Sequence, residues 1–326
     1  MTYQPTLRLK RLRKTAAIRD MVRETRLHPA KLIAPLFVHA GINDKQAIQS
    51  MPGQYQLSLA DLDEEIITLS NLGIQAVLLF GIPNHKDATG STCLDEDGII
   101  QQAIRRIKQF NPDLTVIADL CLCEYTDHGH CGILEDNNID NDATIAQLAQ
   151  QALSLAKSGV DWIAPSANTD GMVGGIRQEL DSAGFHDVTI LSYAVKYSSC
   201  LYGPFREAAQ GAPQFGDRKA YQMDPSNAQE ALREAALDIQ EGADLLMVKP
   251  AMLYLDVIHR VKQQFPEVPL AAYQVSGEFA MIKAAAAQGL VDEKQAMVES
   301  ITAIQRAGAD LIITYFAKEL ATLLRP

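Results

Sequence analysis

The sequence predicts an α/β protein, a (β/α)8 TIM barrel preceded by an N-terminal basic arm. Eight short apolar runs alternate with segments of helical periodicity between residues 32 and 326, which is the pattern of this barrel. One junction nearly repeats itself, reading SGVDWIAP at 158–165, EGADLLMV at 241–248 and AGADLIIT at 307–314. In each copy a glycine ends a helix and the next apolar residues begin a strand. The alternative is a doubly wound sheet in two domains, but that fold usually carries a glycine-rich phosphate turn, and the sequence has no GxGxxG or GxxxxGKS/T motif.

The eight apolar runs are predicted to be strands buried on both faces, as in a parallel barrel. Each is four to eight residues long and is bounded by Gly, Pro or polar residues. They span residues 32–38, 76–82, 114–120, 162–166, 188–195, 245–248, 270–275 and 311–315. The predicted helices between them include 59–72, 97–110, 143–157, 227–240, 254–265 and 293–306, most of which end on a glycine or just before a proline.

Length and composition limit the domain organisation. The chain has 326 residues, of which 47% are hydrophobic and 21% charged, an ordinary globular composition. At roughly 150 residues per domain this length suggests about two domains, but (β/α)8 barrels reach about 250 residues as one domain. We therefore predict one catalytic barrel over residues 32–326 and an arm over residues 1–31.

Net charge and cysteine content indicate which partners the protein can bind and in which compartment it lies. The 29 basic and 40 acidic residues give a net charge of −11, so we expect neither a nucleic acid nor a membrane as a partner. The apolar run 66–85 contains Ser70, Gln75 and Pro83, which argues against a transmembrane helix. Five cysteines are too few, and odd in number, for a secreted disulfide framework. These observations predict a soluble, cytoplasmic protein.

The arm differs from the rest of the chain. It carries eight Arg or Lys residues by Arg26 and precedes the first predicted strand. One interpretation is a solvated tail, and the other is an arm that grips a neighbouring subunit. The sequence alone does not decide between them.

The predicted strand ends carry an unusual number of reactive side chains. Catalytic residues of a (β/α)8 barrel lie at the C-terminal ends of its strands, so we predict an active site there. The residues are Asp119, Cys121 and Cys123 after the third strand, Ser166 after the fourth, Lys196 after the fifth, Lys249 after the sixth, Ser276 after the seventh and Tyr315 at the end of the eighth.

Three of the five cysteines lie in the stretch DLCLCEYTDHGHCG. Cys121 and Cys123 are two residues apart, so on an extended segment their side chains point the same way, and the next seven residues are enough to return Cys131 to them. Three thiolates favour Zn²⁺, and three protein ligands leave a fourth position open, as in catalytic zinc sites. One alternative is buried cysteines that bind no metal. Another is a structural site in which His128 or His130 is the fourth ligand.

Two lysines end strongly apolar strands, Lys196 in LSYAVKYSSC and Lys249 in LLMVKPA. On neighbouring strands their ammonium groups would lie close together, and burial and like charge both lower the pKa of a lysine. At the ordinary pKa of ~10.4 about four lysines in ten thousand are neutral at pH 7, whereas at a pKa of ~7 about half are. A neutral lysine can form a Schiff base with a ketone or aldehyde. A snorkelling or ion-paired residue at the barrel rim is the alternative for either lysine alone, but the pair favours catalysis.

The segment 197–226, which we call the lid, is long for a connection between a strand and a helix. Its aromatic residues, among them Tyr202 and Phe205, argue against disorder. Its arginines, Arg206 and Arg218, are suited to binding a carboxylate over the site. The alternative is that these arginines are solvated surface charges.

Taken together, these motifs resemble the porphobilinogen synthase family, also called 5-aminolevulinate dehydratases. The resemblance covers nearly the whole chain, in the order found in the family. The matching stretches are MPG, DLCLCEYTDHGHCG, DNDAT, IAPSANTDGM, SYAVKYSS, YGPFREAA, GDRKAYQM, GADLLMVKPA, YQVSGEFAM and AGADLIITYF. It implies an enzyme of tetrapyrrole biosynthesis that condenses two molecules of 5-aminolevulinate to porphobilinogen with the release of two waters.

The resemblance also implies roles for individual residues. Lys249 and Lys196 would each form a Schiff base with one substrate, and Asp119 and Ser166 would orient substrate or solvent. The implied substrate-binding residues are Ser276 and Tyr315 for the carboxylate of the substrate on Lys249, Arg206 and Arg218 for that of the substrate on Lys196, and also Tyr202, Phe205, Gln222 and Tyr273.

The metals and the assembly are likewise implied by the resemblance. Cys121, Cys123 and Cys131 match the zinc-type members, and three thiolates around one Zn²⁺ leave a negative net charge, which favours orientation and proton transfer over carbonyl activation. Glu234, in ALREAALD, matches the ligand of an allosteric magnesium ion. The family's usual assembly is an octamer built from arm-hugging dimers, which would explain the basic arm.

Two other functions are alternatives. A Schiff-base aldolase on the same fold would not explain the three cysteines or the second lysine. A non-catalytic zinc-binding protein would not need Lys196, Lys249 or a lid that carries arginines.

Overall fold

The computed structural model describes residues 5–325 and contains a closed barrel of eight parallel strands. Its strands are β1 (Leu32–His39), β2 (Gln46–Ala47), β3 (Tyr55–Leu57), β4 (Ala76–Ile82), β5 (Thr115–Leu120), β6 (Leu134–Glu135), β7 (Asn138–Ile139), β8 (Trp162–Pro165), β9 (Thr189–Lys196), β10 (Leu245–Lys249), β11 (Leu270–Gln274) and β12 (Leu311–Thr314). The barrel order is β1, β4, β5, β8, β9, β10, β11 and β12, and β12 pairs with β1 to close it. The predicted (β/α)8 barrel is therefore confirmed, and each of its eight strands was predicted to within one residue at either end, whereas the short strands β2, β3, β6 and β7 were not predicted.

Helices outside the barrel return the chain so that successive barrel strands run parallel. The α-helices are α1 (Ala16–Met21), α2 (Leu62–Asn71), α3 (Ile99–Phe110), α4 (Asn141–Lys157), α5 (Met172–Ser182), α6 (Gly203–Ala208), α7 (Glu230–Glu241), α8 (Leu255–Gln264), α9 (Ser276–Ala287), α10 (Glu293–Ala307) and α11 (Ala317–Leu324). Of these, α1 precedes the first barrel strand, α6 lies in the lid and α11 follows the last barrel strand. Helix α2 begins three residues later than predicted, because the backbone N–H and hydroxyl of Ser58 donate to Asp61 Oδ2 at 2.9 and 2.7 Å and close a turn there. Helix α7 also begins three residues late, at Glu230.

The aspartate of the repeated junction closes the bottom of the barrel. In each copy its carboxylate accepts a hydrogen bond from a backbone N–H near the start of the preceding barrel strand. The pairs are Asp161 with Val116 at 2.7 Å, Asp244 with Ile190 at 2.8 Å and Asp310 with Leu270 at 2.9 Å. The repeated aspartate thus links neighbouring barrel strands by a hydrogen bond. These links lie at the N-terminal ends of the strands, opposite to the ends that carry the reactive side chains.

The barrel strands are apolar scaffolds that end in polar groups. Every residue of β10 and β11 is buried, as is every residue of β9 after Thr189. Burying a large aliphatic side chain stabilises the fold by roughly 1.5–3 kcal/mol. The side chains at the C-terminal ends of these strands are therefore held on rigid, well-packed elements.

The N-terminal segment does not join the barrel core. Residues 9–13 form a short 3-10 helix and α1 follows, but none of residues 5–31 is buried. Apolar side chains are exposed here, with Leu7 at 87%, Leu9 at 77% and Met21 at 81%. Residues 1–4 of the predicted arm lie outside the described residues. Among the described helices, none has the length and apolar character needed to cross a membrane.

Candidate active site

Lys196 and Lys249 lie side by side at the C-terminal ends of β9 and β10, where they are direct register partners. They are only 4% and 6% exposed. Burial, and then the charge of Lys196, lower the pKa of Lys249 from 10.5 to about 7. A large share of Lys249 is therefore the neutral amine near pH 7, which is the nucleophilic form of a lysine.

Aromatic rings surround the Lys249 amine. Its Nζ lies 4.5 Å from the ring centroid of Tyr273, 5.2 Å from that of Phe205 and 5.3 Å from that of Tyr202. Rings at this distance exclude water but still attract a cation through their π-faces. The surroundings can therefore hold a neutral amine and also stabilise the positive charge of a protonated Schiff base.

Tyr193 belongs to this site although the sequence analysis did not identify it. Its ring centroid lies 5.0 Å from Lys249 Nζ and 5.7 Å from Lys196 Nζ, and the residue is completely buried. Strand alternation would place residues 193 and 196 on opposite faces. The register between β9 and β10 shifts between Leu246 and Val248, which gives β9 one additional residue there. Such a bulge re-aims the side chains that follow it, so that Tyr193 and Lys196 meet on one side.

Asp119 and Ser166 form a polar pair beside the lysines. The Ser166 hydroxyl donates to Asp119 Oδ2 at 2.9 Å, and Lys196 Nζ donates to the Ser166 carbonyl. Burial raises the pKa of Asp119, while the charges of Lys249 and Lys196 oppose the rise. Its second oxygen is buried and has no hydrogen-bond partner among the described residues, so it is available to a bound molecule.

The three predicted cysteine ligands come together in one buried cluster. The sulfur atoms of Cys121, Cys123 and Cys131 all lie within 4.8 Å of one another, and those of Cys121 and Cys123 are 3.4 Å apart. Hydrogen bonds from the other two thiols hold the pKa of Cys131 well below its ordinary value, and the charge of Arg218 lowers it further. Burial, and then hydrogen bonds with Cys123 and Cys131, raise the pKa of Cys121. The sulfur donors and their spacing fit a metal ion bound by three sulfurs.

The neighbouring histidines have other partners. The ring nitrogens of His130 lie 3.1 Å from the Tyr221 hydroxyl and 3.1 Å from the Phe215 carbonyl. Those of His128 lie 3.1 Å from the backbone nitrogen of His130 and 3.1 Å from the Ala88 carbonyl. The geometry thus supports three protein ligands over a fourth one from histidine. The side chain of His130 instead joins the segment that carries Cys131 to the lid, whereas that of His128 contacts Ala88 outside the lid.

Glu124 is a second buried group beside the cysteines that was not assigned a role. It is 3% exposed, and the thiol of Cys123 donates to its Oε2 at 3.4 Å. Burial, and then the charge of Asp119, raise its pKa to about 7. Its position next to Cys123 in the sequence was the only signal that could have indicated it.

Arg218 fastens the lid to the segment that carries Cys131. Its Nη2 donates to the Gly129 carbonyl at 2.8 Å and to the Gly211 carbonyl at 2.6 Å. Gly129 has φ +69°, and a Cβ there would lie 2.2 Å from the Ala212 carbonyl oxygen, so only glycine allows this approach. The Nε atoms of Arg206 and Arg218 are both buried without a partner, but in the described part of the chain the Arg206 side chain forms no other hydrogen bond either, so it is not fixed to a backbone carbonyl as Arg218 is.

The remaining predicted substrate-binding residues lie around the lysines and under the lid. The hydroxyls of Tyr273 and Tyr315 are 2.9 Å apart, and Ser276 Oγ accepts a hydrogen bond from the Phe205 backbone N–H at 2.9 Å. The Tyr202 hydroxyl donates to the Tyr197 carbonyl at 2.7 Å. The Gln222 side-chain nitrogen is buried and has no hydrogen-bond partner within residues 5–325.

The lid leaves little free space over these groups. The cavity between them measures about 20 Å³, which is room for about one water molecule. Its lining includes both lysines, Asp119, Ser166, Cys123, Glu124, Tyr202, Phe205, Arg206 and Arg218. A molecule much larger than water therefore fits only if the lid or the side chains that line the cavity move.

Glu234 lies outside this site. It lines a surface cavity of about 560 Å³ along α7, together with Glu230 and Arg233. Burial, and then the charges of Asp170 and Glu230, raise its pKa. Among the described residues, Cys121, Cys123 and Cys131 are the only group of three or more side chains close enough to share a metal ion, and Glu234 is not one of them.

Comparisons with known proteins agree with this geometry. A family model described as delta-aminolevulinic acid dehydratase matches residues 6–323. The chain is 58% identical to the delta-aminolevulinic acid dehydratase of Halalkalibacterium halodurans, over 97% of this chain and 96% of that protein, and 54% identical to that of Bacillus subtilis, over 97% and 98%. A solved structure of delta-aminolevulinic acid dehydratase (porphobilinogen synthase) from Toxoplasma gondii, in complex with the reaction product porphobilinogen, superposes with a TM-score of 0.95 at 43% identity over 98% of this chain and 92% of that one. With nearly its whole length matched by the family model and by these relatives, the chain belongs to the delta-aminolevulinic acid dehydratase family.

Proposed function

We propose that this protein condenses two molecules of 5-aminolevulinate to porphobilinogen, with loss of two waters, through Schiff bases on Lys249 and Lys196. The pairing of two buried lysines at adjacent strand ends is the observation that carries the proposal. A Schiff-base aldolase needs one such lysine, and a zinc-binding protein needs neither. Membership in the family favours the condensation over both alternatives.

In the proposed reaction Lys249 acts as a neutral amine. Its Nζ attacks the ketone carbon of one substrate, and the ketone oxygen leaves as water, which gives a protonated Schiff base. Loss of a proton from the adjacent carbon then yields an enamine. Lys196 holds the second substrate in the same way, so the second ketone oxygen leaves as the second water.

Two bonds join the substrates. The enamine carbon of the substrate on Lys249 bonds to the former ketone carbon of the substrate on Lys196. The amino group of that second substrate bonds to the carbon held by Lys249 and displaces the lysine. Loss of the remaining protons and of Lys196 leaves the aromatic pyrrole, and both lysines return to their starting state.

Each substrate has its own carboxylate subsite in this proposal. Ser276 and Tyr315 would bind the carboxylate of the substrate on Lys249. Their hydrogen-bond partners, Phe205 and Tyr273, have rings 5.2 and 4.5 Å from Lys249 Nζ. Arg206 and Arg218 would bind the carboxylate of the substrate on Lys196, closing the lid over it. Asp119 and Ser166, 2.9 Å apart, would orient substrate and solvent between the lysines.

The metal sites are also proposals. Cys121, Cys123 and Cys131 would hold Zn²⁺, because a buried set of three sulfurs is a donor set that zinc prefers. When bound, the ion would orient the amino or carbonyl group of a substrate. Glu234 would bind an allosteric Mg²⁺, supported by the acidic surroundings of its half-buried carboxylate.

Incubation of the purified protein with 5-aminolevulinate tests the proposed function. We expect formation of a pyrrole, detected by its coloured adduct with an aromatic aldehyde. An aldolase would give a reducible Schiff base without a pyrrole, and a zinc-binding protein would give neither product. Either of these results would exclude the condensation.

Replacing the lid arginines should weaken binding of the substrate on Lys196. Loss of a charged hydrogen bond of ~2–3 kcal/mol corresponds to a rise in apparent KM of roughly 30- to more than 100-fold. Arg206→Ala gives the cleaner measurement, because Arg218→Ala also removes the bonds to Gly129 and Gly211 and should make the lid more sensitive to protease. Schiff-base formation at Lys249 should persist in both variants. An unchanged dependence on substrate concentration would mean that the lid does not bind the carboxylate.

The arm, residues 1–31, is proposed to be an assembly element of a cytoplasmic octamer, distinct from the catalytic barrel of residues 32–326. Its exposed apolar side chains support this, because they lack a partner within the described part of the chain. Deleting residues 1–14 should shift the particle to smaller species and lower activity while the barrel stays folded. Sedimentation velocity and circular dichroism measure these effects. An unchanged octamer after the deletion, or a monomeric wild type, would contradict the proposal.

A further inference from the structure

Glu278 is a buried carboxylate that does not line the cavity around the two lysines. It lies in the first turn of α9, two residues after Ser276, and is 1% exposed. In the described part of the chain it has no Lys or Arg partner. It accepts hydrogen bonds from the backbone N–H groups of Val275 at 2.9 Å, Met252 at 2.6 Å and Ala251 at 3.4 Å.

These N–H groups belong to the two segments that carry one half of the active site. Ala251 and Met252 come directly after Lys249 and Pro250, whereas Val275 precedes Ser276. Glu278 Oε1 bonds to the first segment and Oε2 to both. One carboxylate thus joins the turn after β10 to the N-terminus of α9, where the helix dipole also favours a negative charge.

The lid rests on the same helix end. Ser276 Oγ accepts from the Phe205 backbone N–H at 2.9 Å, and a Cβ on Gly277 would lie 2.5 Å from the Leu201 carbonyl oxygen. The N-terminus of α9 is therefore fixed against the lid on one side and against the Lys249 turn on the other. Any shift of this helix end would move the hydroxyl of Ser276 relative to the amine of Lys249.

Only a carboxylate can accept hydrogen bonds from these three backbone N–H groups with both of its oxygens. A glutamine of the same shape has one acceptor oxygen, and its NH₂ group would face a backbone N–H, donor against donor. Burial raises the pKa of Glu278 to about 7, although the backbone N–H groups oppose the rise. Burying this carboxylate is therefore costly, and its hydrogen bonds offset that cost.

We propose that Glu278 is the positioning residue of the Lys249 half-site, fixing the distance between the amine that binds the ketone and the serine that binds the carboxylate of one substrate. This inference rests on the proposed function, since it assumes that Lys249 forms a Schiff base with 5-aminolevulinate. Glu278 touches neither substrate and acts through the backbone of the two segments that it joins.

The test is borohydride trapping of 5-aminolevulinate on Glu278→Gln, with the adducts on the two lysines quantified separately by peptide mapping. A small misplacement of a reacting group can lower a rate by up to 100-fold, so we expect trapping at Lys249 to fall roughly 10- to 100-fold. The amount of adduct on Lys196 in the same protein should stay close to that of the wild type. This unchanged adduct would show that the barrel is folded. We also expect the kcat of the condensation to fall, because substrate is then held in a poorly aligned position.

Asp310→Asn is the matched control. Asp310 also accepts a backbone N–H, that of Leu270 at 2.9 Å, but at the opposite end of the barrel. Its replacement should lower stability and leave the ratio of the two adducts unchanged. If Glu278→Gln does not fold, Glu278→Asp keeps the charge with a shorter reach and should show the same selective loss.

Equal losses at both lysines, or no loss at either, would overturn the role of Glu278. Failure of the wild type to be trapped at Lys249 would instead overturn the proposed function, so the two failures are distinguishable.

Discussion

Replacing Lys249 with methionine should reduce turnover by roughly 10³-fold or more, because removal of a covalent nucleophile leaves only binding contributions. Methionine fills similar space between the rings of Tyr273, Phe205 and Tyr202 but cannot form a Schiff base. Borohydride reduction with 5-aminolevulinate should trap substrate on Lys249 of the wild type and, when both sites are filled, also on Lys196. The Lys249→Met protein should give no adduct at position 249.

Lys283→Met is the matched control for this substitution. The Nζ of Lys283 also lies over two rings, 5.5 Å from Phe279 and 5.3 Å from Phe316, but it pairs with Glu293 at 2.6 Å and belongs to helix α9 and not to a barrel strand. Its replacement should leave trapping and turnover nearly unchanged. Trapping of substrate on any lysine other than 196 and 249 would show that the two strand ends are not the active site.

The two lysines should also be coupled through their charges. Lys196 contributes to the lowering of the Lys249 pKa to about 7, second to burial. In Lys196→Met that positive charge is gone, so the pKa of Lys249 should rise and its neutral form should appear only at higher pH. The midpoint of the pH dependence of trapping at Lys249 should therefore move upward, while turnover is severely impaired. An unmoved midpoint would contradict the coupling.

Removal of the metal should abolish the condensation. Ala at position 121, 123 or 131 should each remove about one zinc per active site, because a site with three protein ligands cannot tolerate the loss of one. Replacing a residue that only hydrogen-bonds to a metal ligand typically lowers metal affinity or activity 10–100-fold. Replacing a ligand itself should therefore lower the activity at least about 100-fold. Zinc content is measured by atomic emission, and a strong chelator followed by added Zn²⁺ should reproduce the loss and restore activity in the wild type.

Cys93 and Cys200 supply the matched controls for the metal site. Cys93 is buried and Cys200 is exposed on the lid, and neither belongs to the cluster. Their alanine variants should keep the zinc and most of the activity. Full activity in a protein that lacks Cys121, Cys123 and Cys131 and contains no metal would exclude a metal-dependent reaction.

The sequence by itself determined the barrel and the reactive strand ends. Apolar runs, glycine-ended helices and the repeated junction are local patterns, and the order in which they occur specifies which strand each side chain follows. The spacing of Cys121, Cys123 and Cys131 predicted their convergence. The physical reason differs, however, because Cys121 and Cys123 lie in a turn beyond the end of β5 at Leu120 and not on an extended strand. The positions of Lys196 and Lys249 at consecutive strand ends required only the barrel order.

The tertiary structure decided which groups meet across the strands. The bulge in β9 brings Tyr193 to the same side as Lys196, against the alternation that the sequence predicts. Arg218 donates to the carbonyl of Gly129 in the cysteine-bearing segment, 89 positions away, and to that of Gly211 in the lid, 7 positions away. The sequence around Glu278 indicates only an ordinary helix carboxylate. In the structure it accepts hydrogen bonds from the backbone N–H groups of Ala251 and Met252, which belong to another segment. Strand register, bulges and hydrogen bonds between distant segments depend on how the closed barrel packs. They cannot be predicted from the local periodicity of the sequence.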